Sequence, residues 1–550
     1  MYVYDEYDRQ ILKERVVQFR HQTERALRGE LEEHEFLPLR LQNGLYVQRF
    51  APMLRMAIPY GMLRSRQLRR LAEVTRDFDK GYAHFTTRQN LQLNWPAVED
   101  VPDVLEALSE VEMHANQTSG NCIRNTTTDQ FAGVQKDEIV DPRPYCELIR
   151  QWSTYHPEFA FLPRKFKIAV NASPSTDRAA VQVHDIGLEL HRNDAGELGF
   201  RVYVGGGLGR TPMVGPVIRE FIPERDVLTY LEAILRVYNR YGRRDNKFKA
   251  RIKILVKATT PEKFAELVEA EWEQIRNTPT RLTPEAIEQM KGFFTEPDYE
   301  DLEDNPPALT EALSASKAFS NWHTRNVSEH KKPGYAIVTL TLKQTGVPTG
   351  DVSDRQLEAI ADLADEYSFG EVRVTHEQNV VLADVRQDRL QELWEALRPL
   401  GFATANLGTL TDMICCPGGD FCALANAKSI PVAEAIQREF DDLDFLYDLG
   451  DIDLNISGCM NACGHHHVGN IGVLGVDKKG QEFYQISLGG SSRRDASVGK
   501  ILGPSFARED MPTVVKDIIQ VYVDHRTEEE TFLDTYRRIG MSPFKERVYA

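Results

Sequence analysis

Four of the seven cysteines form two pairs inside one glycine-rich segment, residues 413–469. Five residues separate Cys416 from Cys422, and three separate Cys459 from Cys463. Thiolates are preferred ligands of zinc and of iron–sulfur clusters, so this arrangement indicates a metal centre. Structural zinc sites more often place two residues between paired cysteines, and the wider spacing therefore favours a cubane cluster. The alternative is a set of buried structural cysteines, which are common in cytosolic enzymes.

The residues around the first pair predict the local backbone. The Pro-Gly-Gly sequence after the first cysteine permits the tight turns that a chain needs to wrap a cluster. From Phe421 onward the sequence predicts a helix that is interrupted near Pro431. Cys422 would then lie near a helix N-terminus, where the partial positive charge favours thiolate over thiol.

A formal net charge of −17 over 550 residues bounds the partners of the chain. It argues against general binding to nucleic acid or anionic membranes, and an anionic substrate would need a local basic pocket. No run of about 18 apolar residues occurs and the N-terminus is charged, so we expect a cytoplasmic protein without a signal peptide. Seven cysteines indicate a reducing compartment and not a disulfide framework.

Two segments of the chain are alike. Residues 54–95 and residues 335–382 each show a strand, a helix and a second strand in the same order. Three residues of the first segment match three of the second: Thr86 with Thr375, Gln89 with Gln378, and Asn90 with Asn379. Chance similarity is the alternative, but the shared Thr-x-x-Gln-Asn followed by an alternating apolar strand favours duplication.

A second pair of segments supports duplication. Residues 199–207 and 483–490 each run through an alternating strand into glycines. The chain therefore divides into two halves, each with a small β-α-β module and a larger α/β module. Between the halves, residues 296–305 hold six acids and are followed by two prolines, a composition typical of a solvated linker.

Cations occur in apolar or glycine-rich stretches of the N-terminal half. Lys165 and Lys167 lie two residues apart and hence on one face of a predicted strand, with Phe166 on the other face. Two neighbouring ammonium groups in a partly buried site repel, which lowers the lysine pKa. Arg55 is a lone cation in an apolar run, and Arg124 follows a glycine turn. A solvated basic strand edge is the alternative for the lysines.

Six motifs carry a family resemblance. They are MLRxxxP, T-x-R-Q, a glycine turn ending in Arg-Asn, LPRKFK, VGGGLG and the two cysteine pairs, spread from about residue 45 to about residue 505. In this order they resemble the sirohaem and [4Fe-4S] nitrite and sulfite reductases, most closely the assimilatory sulfite reductase haemoprotein (beta) subunits. The resemblance covers most of the chain.

The resemblance implies a role for each matching residue. Cys416, Cys422, Cys459 and Cys463 would bind the cluster, and Cys463 would also bind the sirohaem iron. The substrate-binding and proton-delivering cations would be Arg55, Arg124, Lys165 and Lys167. Sirohaem would be held by Arg88, Arg164, Gly205, Gly206, Gly207, Arg251 and Gln378. Asn461, between the last two cysteines, would donate to a cluster sulfur or a macrocycle carboxylate, or would be a turn asparagine.

The expected fold is α/β (α+β), a pseudo-twofold duplicated chain with two small ferredoxin-like modules and two larger sirohaem- and cluster-binding modules. We predict five segments. They are an N-terminal ferredoxin-like module with an extension (1–135), a sirohaem and substrate module (136–290), an acidic linker and crossover (291–333), a second ferredoxin-like module (334–405) and the cluster-ligating module (406–550).

The expected reaction is the six-electron reduction of sulfite to sulfide in assimilatory sulfur metabolism. Nitrite reductases of the family resemble LPRKWN where this chain has LPRKFK, and a second lysine suits a dianion better than a monoanion. Reduction of nitrite to ammonia is the alternative within the family. The alternative from another class is a non-catalytic iron–sulfur or zinc protein, although electron carriers are usually smaller.

The electron donor is expected to be a partner protein. No Gly-x-Gly-x-x-Gly follows a strand, and the Gly-Gly-Gly-Leu-Gly sequence lacks a following acid at dinucleotide spacing, so the sequence shows no NADPH or flavin site. The donor would be an NADPH flavoprotein subunit or a ferredoxin. The net negative charge mildly disfavours an acidic ferredoxin.

Two features fall outside this account. The three histidines 465–467 follow the cluster loop, where we expect a solvent-exposed loop and not a metal site. Some relatives carry a cysteine covalently joined to a tyrosine near the active site, and Cys122 with Tyr46 is a candidate for that link. Cys146 and Cys415 are expected to be structural.

Overall fold

The computed structural model describes residues 1–48 and 50–550. Across these residues the helices are α1 (Glu6–Leu27), α2 (Glu33–Gln42), α3 (Ser65–Phe78), α4 (Val101–Ser109), α5 (Arg143–Ser153), α6 (Val227–Tyr241), α7 (Ile252–Thr259), α8 (Pro261–Ile275), α9 (Pro284–Lys291), α10 (Pro307–Ala315), α11 (Lys317–Asn326), α12 (Asp354–Tyr367), α13 (Leu390–Leu397), α14 (Ile430–Glu439), α15 (Leu443–Leu449), α16 (Met511–His525), α17 (Phe532–Ile539) and α18 (Ser542–Val548). None of these described helices is long and apolar enough to cross a bilayer.

The strands form four five-stranded sheets within the described residues. Their bounds are β1 (Leu45–Val47), β2 (Pro52–Met56), β3 (Met62–Arg64), β4 (Tyr82–Phe85), β5 (Leu91–Leu93), β6 (Thr127–Thr128), β7 (Ile168–Asn171), β8 (Ile186–Arg192), β9 (Leu198–Val204), β10 (Val217–Pro223), β11 (Val327–Glu329), β12 (Tyr335–Leu340), β13 (Asp351–Ser353), β14 (Glu371–Val374), β15 (Val380–Arg386), β16 (Ile414–Cys415), β17 (Leu454–Ser457), β18 (Ile471–Lys478), β19 (Gln481–Leu488) and β20 (Lys500–Ile501). The predicted α/β class and the duplication are confirmed.

The sheets of the two smaller, ferredoxin-like modules are antiparallel, and each contains one strand from the other half of the chain. The first has the order β1-β2-β5-β4-β13 and the second β11-β12-β15-β14-β3. Strand β13 belongs to the second half but pairs with β4, where Asp351 lies opposite His84. Strand β3 belongs to the first half but pairs with β14, where Glu371 lies opposite Arg64. Each half therefore completes the sheet of the other.

The two larger sheets share one topology. The first has the order β10-β9-β8-β7-β6 and the second β16-β17-β18-β19-β20. In both, the first two pairings in chain order are parallel and the last two are antiparallel. The segment pair 199–207 and 483–490 corresponds to β9 and β19, so the duplication seen in the sequence holds here too. The five segment boundaries stay a prediction, since strand exchange makes β3 and β13 members of two modules.

Each repeat contains a β-hairpin where the sequence analysis predicted one continuous strand. Strands β4 and β5 pair antiparallel, as do β14 and β15. The chain reverses at Gln89 and Gln378, whose φ angles of 54° and 64° lie in the left-handed region. The polar Thr-x-x-Gln-Asn sequence is the turn itself, because the threonine hydroxyl accepts a hydrogen bond from the asparagine amide in both repeats.

The two turn glutamines fasten each half to the other. Gln89 Nε2 donates to the carbonyl of Thr128 (3.0 Å) and across the halves to that of Val374 (2.9 Å). Gln378 Nε2 donates across to the carbonyl of Phe85 (3.1 Å). Both side chains are fully buried. Because buried carbonyls need a donor, these contacts bind the halves in one orientation.

One continuous core joins the two smaller modules. It includes Leu68 and Leu71 of α3 together with Leu357 and Ile360 of α12, all fully buried. Each larger sheet has a separate core beneath its own helices. The fold thus has one core shared by the two smaller modules and one further core for each larger module.

The acidic linker is solvated, as the sequence predicted. All six acids of residues 296–305 are exposed, while Tyr299 packs inward and donates to Asp384 Oδ1 (2.5 Å). The crossover that follows, which the sequence left open, contains α10 and α11.

We expect Gln89→Ala and Gln378→Ala each to lower the free energy of unfolding by about 2–4 kcal/mol, because buried carbonyls of both halves lose their donor. Urea denaturation followed by tryptophan fluorescence measures the change. The matched control is Gln10→Ala, since Gln10 lies exposed on α1. Equal losses for the control and for the two turn glutamines would contradict the fastening role.

Candidate active site

A cavity of about 490 Å³ lies where the two halves meet. Its walls come from β2, the β4–β5 turn, residues 117–125 and residues 164–167 of the first half. Residues 416–425 and 459–465 of the second half close the other side. All four cysteines of the two pairs line this cavity. The structure thus brings the predicted metal centre and the predicted cations together.

The first cysteine pair is held by tight turns. Cys416 follows β16, and its Sγ accepts a hydrogen bond from Gly458 N (3.2 Å). Gly418 has a φ of 56°, and a Cβ at this position would lie 2.1 Å from Ser429 Oγ. Only glycine permits this approach to the residue before α14, and a Cβ on Gly458, next to Cys459, would lie 2.6 Å from the Cα of Gly418, so the two cluster loops are in close contact here.

The predicted helix position of Cys422 is wrong. Helix α14 begins at Ile430, and residues 416–428 form turns, so the thiol does not lie at a helix N-terminus. Pro431 stands in the first turn of α14 and starts the helix instead of interrupting it. The pKa of the Cys422 thiol is raised, chiefly by burial.

The second pair contains one buried and one exposed thiol. Cys459 is buried, and burial raises its pKa to about 11 while hydrogen bonds from Asn461 act against this rise. Cys463 is exposed to the cavity, and its carbonyl accepts from Thr87 Oγ1 of the other half (2.9 Å). Asn461 therefore contacts a cysteine of the cluster site, while its predicted role towards the cofactors stays a prediction.

The cysteines do not form a site for a single metal ion. Within residues 1–48 and 50–550, no three His, Cys, Asp or Glu side chains converge closely enough to hold one ion. A cubane cluster does not require such convergence, because each cysteine binds a different corner iron.

The cavity is strongly cationic although the chain is acidic. Six of its lysines and arginines have no carboxylate within ion-pair distance among the described residues. They are Arg55, Arg88, Arg124, Arg164, Lys165 and Lys167. No Asp or Glu occurs among the described residues that line the cavity. These six side chains are half-buried, and because partly desolvated cations without a counter-ion are costly, this lining favours anions from outside the chain.

Neutral groups orient three of the arginines. Arg55 Nη2 donates to Gln92 Oε1 (2.9 Å), and Arg124 Nη1 donates to the carbonyl of Thr118 (2.7 Å). Arg88 donates to Thr127 Oγ1 (2.9 Å) and contacts the imidazole of a buried histidine, His184. Burial lowers the pKa of Arg88 to about 9. These partners fix the guanidinium planes without neutralising them.

The two lysines face the cavity together. Regular strand β7 begins at Ile168 and not at Lys165, but the alternation continues because Phe166 forms a bridge with Ile123. Phe166 packs in the core on the opposite side. Burial lowers the pKa of Lys165 to about 8 and that of Lys167 well below its usual value, with Arg88 and Lys165 adding to the effect on Lys167. Neither Nζ has a hydrogen-bond partner within the described residues.

The cavity lining does not include two groups that were predicted to hold sirohaem, Arg251 and the glycines 205–207. Arg251 Nη2 donates to Asp185 Oδ2 (2.8 Å), and Asp185 is fully buried. The glycines 205–207 follow β9, and a Cβ on Gly206 would lie 2.3 Å from the carbonyl of Gln182. Close backbone packing thus accounts for Gly206. Gln378 lines the cavity but also holds the halves together, so these three roles towards sirohaem stay predictions.

The prediction of a solvent-exposed histidine loop is wrong. His465 and His466 are buried, and residues 466–468 form a 3₁₀ turn against β17 and β18. His465 lines the cavity, as do Gln92 and Asn125, which the sequence analysis also missed. The sequence did carry a signal for Gln92, because it is a polar residue between two leucines of a strand.

Three cysteines lie outside the two pairs. Cys146 and Cys415 are buried. Cys122 Sγ donates to the carbonyl of Ser119 (3.1 Å), while Tyr46 Oη donates weakly to that of Thr118 (3.4 Å). The covalent link between Cys122 and Tyr46 stays a prediction.

Known sequence families match both kinds of module. The nitrite and sulphite reductase 4Fe-4S domain matches residues 119–276 and 408–550. The chain belongs to the nitrite and sulfite reductase family. The ferredoxin-like half domain of nitrite and sulfite reductases matches residues 48–111 and 331–400. These matches include all four cluster-loop cysteines and both predicted repeats.

Named relatives of the family are similar along most of the chain. A sulfite reductase [ferredoxin] of Mycolicibacterium paratuberculosis is 28% identical, covering 84% of this chain and 78% of its own. A ferredoxin–nitrite reductase of Synechococcus elongatus is 29% identical, covering 85% of each chain. The solved structure of Mycobacterium tuberculosis NirA protein is 25% identical, with a TM-score of 0.77 over 94% of this chain and 92% of that one.

Membership of the family implies a [4Fe-4S] cluster and sirohaem. The lining of the cavity fits both groups: four thiols face it beside glycine turns, and six unpaired cations suit the carboxylates of sirohaem. The alternative of a zinc protein or a small electron carrier is not supported by the family.

We expect Gly418→Ala to lose most of its iron and acid-labile sulfide, since the new Cβ would clash with Ser429 and displace the turn between Cys416 and Cys422, which packs against Gly458 beside Cys459. The control is Gly480→Ala, which has a positive φ of 83° but open space around its Cβ and should cost only about 1–2 kcal/mol of stability. Iron and sulfide analysis of both purified variants measures the difference. Full cluster content in Gly418→Ala would contradict the steric argument.

Proposed function

We propose that this chain reduces sulfite to sulfide. The observation that carries the proposal is the pair Lys165 and Lys167, which face the cavity of the cluster cysteines with no protein partner among the described residues. Two free ammonium groups beside unpaired arginines suit a small dianion. Sulfite carries two negative charges when fully ionised, whereas nitrite carries one.

The cofactors supply the redox chemistry. When bound, the cluster stores and passes electrons, and sirohaem offers an iron that binds the substrate and conducts electrons to it. Cys416, Cys422, Cys459 and Cys463 would hold the cluster, with Cys463 shared with the sirohaem iron. The exposure of Cys463 to the cavity supports this shared role.

Arg55 and Arg124 are proposed to neutralise the substrate oxygens. Gln92 holds the guanidinium of Arg55, and backbone carbonyls hold that of Arg124. A cation fixed by neutral partners keeps its full charge for an anion and loses little conformational entropy on binding. The full reduction consumes six electrons, and each departing oxygen takes two protons and leaves as water.

Lys165 and Lys167 are proposed to donate those protons. Both ammonium groups face the cavity and would donate hydrogen bonds to sulfite oxygens, with solvent restoring the proton at Nζ after each transfer. Arg88 and Arg164, which also line the cavity, would bind sirohaem carboxylates. For Arg251, the ion pair with Asp185 supports an indirect role, because Asp185 Oδ2 also accepts from the Lys167 amide (2.9 Å).

A ferredoxin is proposed as the electron donor. The relatives reported above are named sulfite reductase [ferredoxin] and ferredoxin–nitrite reductase, and none carries a flavoprotein in its name. The dinucleotide spacing that an internal NADPH site needs is absent from the sequence. The donor would therefore be a separate protein, and the names of these relatives favour a ferredoxin over an NADPH flavoprotein subunit.

Nitrite is the second candidate substrate. Relatives of similar identity are named nitrite reductases, including the assimilatory ferredoxin-dependent enzyme of Haloferax mediterranei at 27% identity over 87% of this chain and 80% of its own. The same cavity and cofactors serve either anion. We propose that Lys167, where nitrite reductases of the family resemble LPRKWN, favours sulfite over nitrite.

We expect Lys167→Asn to lower kcat/KM for sulfite at least about tenfold and that for nitrite less than about twofold, since only the dianion loses a matching charge. Turnover with reduced methyl viologen measures both. Lys257→Asn, an exposed lysine on α7, is the control and should change neither. Equal losses on both substrates would remove the role given to Lys167.

A further inference from the structure

An exposed basic segment spans the last residues of α6 and the loop before α7. Residues 239–249 contain five lysines and arginines and one acid, in a chain of net charge −17. Arg240, Arg243, Arg244, Lys247 and Lys249 are all exposed. Such a concentration of one sign against the overall field creates a local positive potential.

Little of this charge is neutralised within the protein. Arg243 pairs with Asp245, and Arg240 reaches Glu271 at 3.6 Å. Arg244 donates to the carbonyl of Asn239 and so keeps its charge. Lys247 and Lys249 have no carboxylate within ion-pair distance in the part of the chain that the structure describes.

An exposed aromatic ring stands at the centre of these charges. The side chain of Phe248 is 60% exposed. The guanidinium of Arg210 lies 4.6 Å from its ring centroid, and Lys247 Nζ lies 5.4 Å away. Arg210 comes from the loop after β9 and has no carboxylate partner among the described residues. A large ring held between cations is a typical anchor of protein interfaces. We refer to Arg210, Lys247, Phe248 and Lys249 as the basic patch.

Neighbours of the basic patch contact the cluster loop and the segment that leads to the cavity wall. Gly209, next to Arg210, packs against the cluster loop, since a Cβ on Gly209 would lie 3.6 Å from the carbonyl of Met460. Met460 directly follows Cys459 in the sequence. On the other side, Arg244 Nη2 donates to the carbonyl of Phe161 (3.4 Å), three residues before the cavity residue Arg164. A protein bound here would therefore lie beside both predicted cofactor sites.

We propose that the basic patch is the docking surface for a small acidic electron-transfer protein of the ferredoxin type. This inference rests on the proposed function, which requires electrons from a partner. An acidic chain repels an acidic donor everywhere except at a local positive surface, so this surface selects both the partner and its orientation. Phe248 would supply the apolar contact at the centre of the interface.

The test is the triple variant Arg210→Glu, Lys247→Glu and Lys249→Glu in the holoenzyme. We expect the KM for reduced ferredoxin to rise at least about tenfold at low salt, and the dependence of the rate on ionic strength to be lost. Turnover with reduced methyl viologen, which needs no docking surface, should stay within about twofold of the unmodified protein. The control with equal charge change is Lys13→Glu, Lys479→Glu and Lys545→Glu, whose lysines are exposed on other elements.

The outcomes separate this inference from the proposed function. If the unmodified protein reduces neither sulfite nor nitrite with reduced methyl viologen, the proposed function itself is overturned. An unchanged ferredoxin KM in the triple variant, or an equal rise in the control, would overturn the docking surface alone. A different outcome is that the unmodified protein shifts a single-stranded oligonucleotide on a gel while the triple variant does not, with the KM for ferredoxin the same in both. That result would assign the surface to nucleic acid and overturn the proposed ferredoxin docking.

A milder variant keeps the inference testable if the triple variant does not fold. Phe248→Ala removes an exposed ring and no charge. We expect the ferredoxin KM to rise about threefold or more while the ionic-strength dependence is kept, because the steering charges remain. An unchanged KM in Phe248→Ala would overturn the docking surface, because the proposal places this ring at the centre of the interface.

Discussion

The site depends on one constraint, the mutual repulsion of half-buried cations that have no counter-ion among the described residues. Six arginines and lysines face one cavity without a carboxylate, although acids outnumber bases in the sequence as a whole. Lys167 shows the cost most clearly, because burial and the neighbouring Arg88 and Lys165 together lower its pKa. A lining of this kind is stable only when anions complete it, and the carboxylates of sirohaem and the substrate are such anions.

The duplicated fold holds these charges in place. Strands β3 and β13 cross between the halves, and Gln89 and Gln378 donate to backbone carbonyls of the opposite half. The cavity walls therefore cannot move apart without breaking a sheet and exposing buried polar groups. Thr87, from the same turn as Gln89, donates to the carbonyl of Cys463, so the fastening of the halves and the position of the proposed bridging cysteine share one turn.

The sequence predicted the site better than its surroundings. Spacing along the chain was sufficient for the cysteine pairs and for the two lysines on one face, because both are local patterns. It was insufficient for the hairpins, for strand exchange and for the burial of His465, since these depend on contacts between distant segments. The helix predicted at Cys422 failed because Pro431 starts a helix as readily as it interrupts one. The basic segment 239–249 was visible in the sequence, but the position of Arg210 against Phe248 of that segment was not.

The most direct test of the account is the visible spectrum of the purified chain, recorded on the sample used for steady-state reduction of sulfite and nitrite by reduced methyl viologen. We expect the absorption bands of sirohaem together with a higher kcat/KM for sulfite than for nitrite. A spectrum without these bands would contradict the assignment of the cationic cavity to sirohaem. If the sirohaem bands are present but kcat/KM is higher for nitrite, the assignment of the cavity to sirohaem stands. The proposal that Lys167 favours the sulfite dianion would then be contradicted.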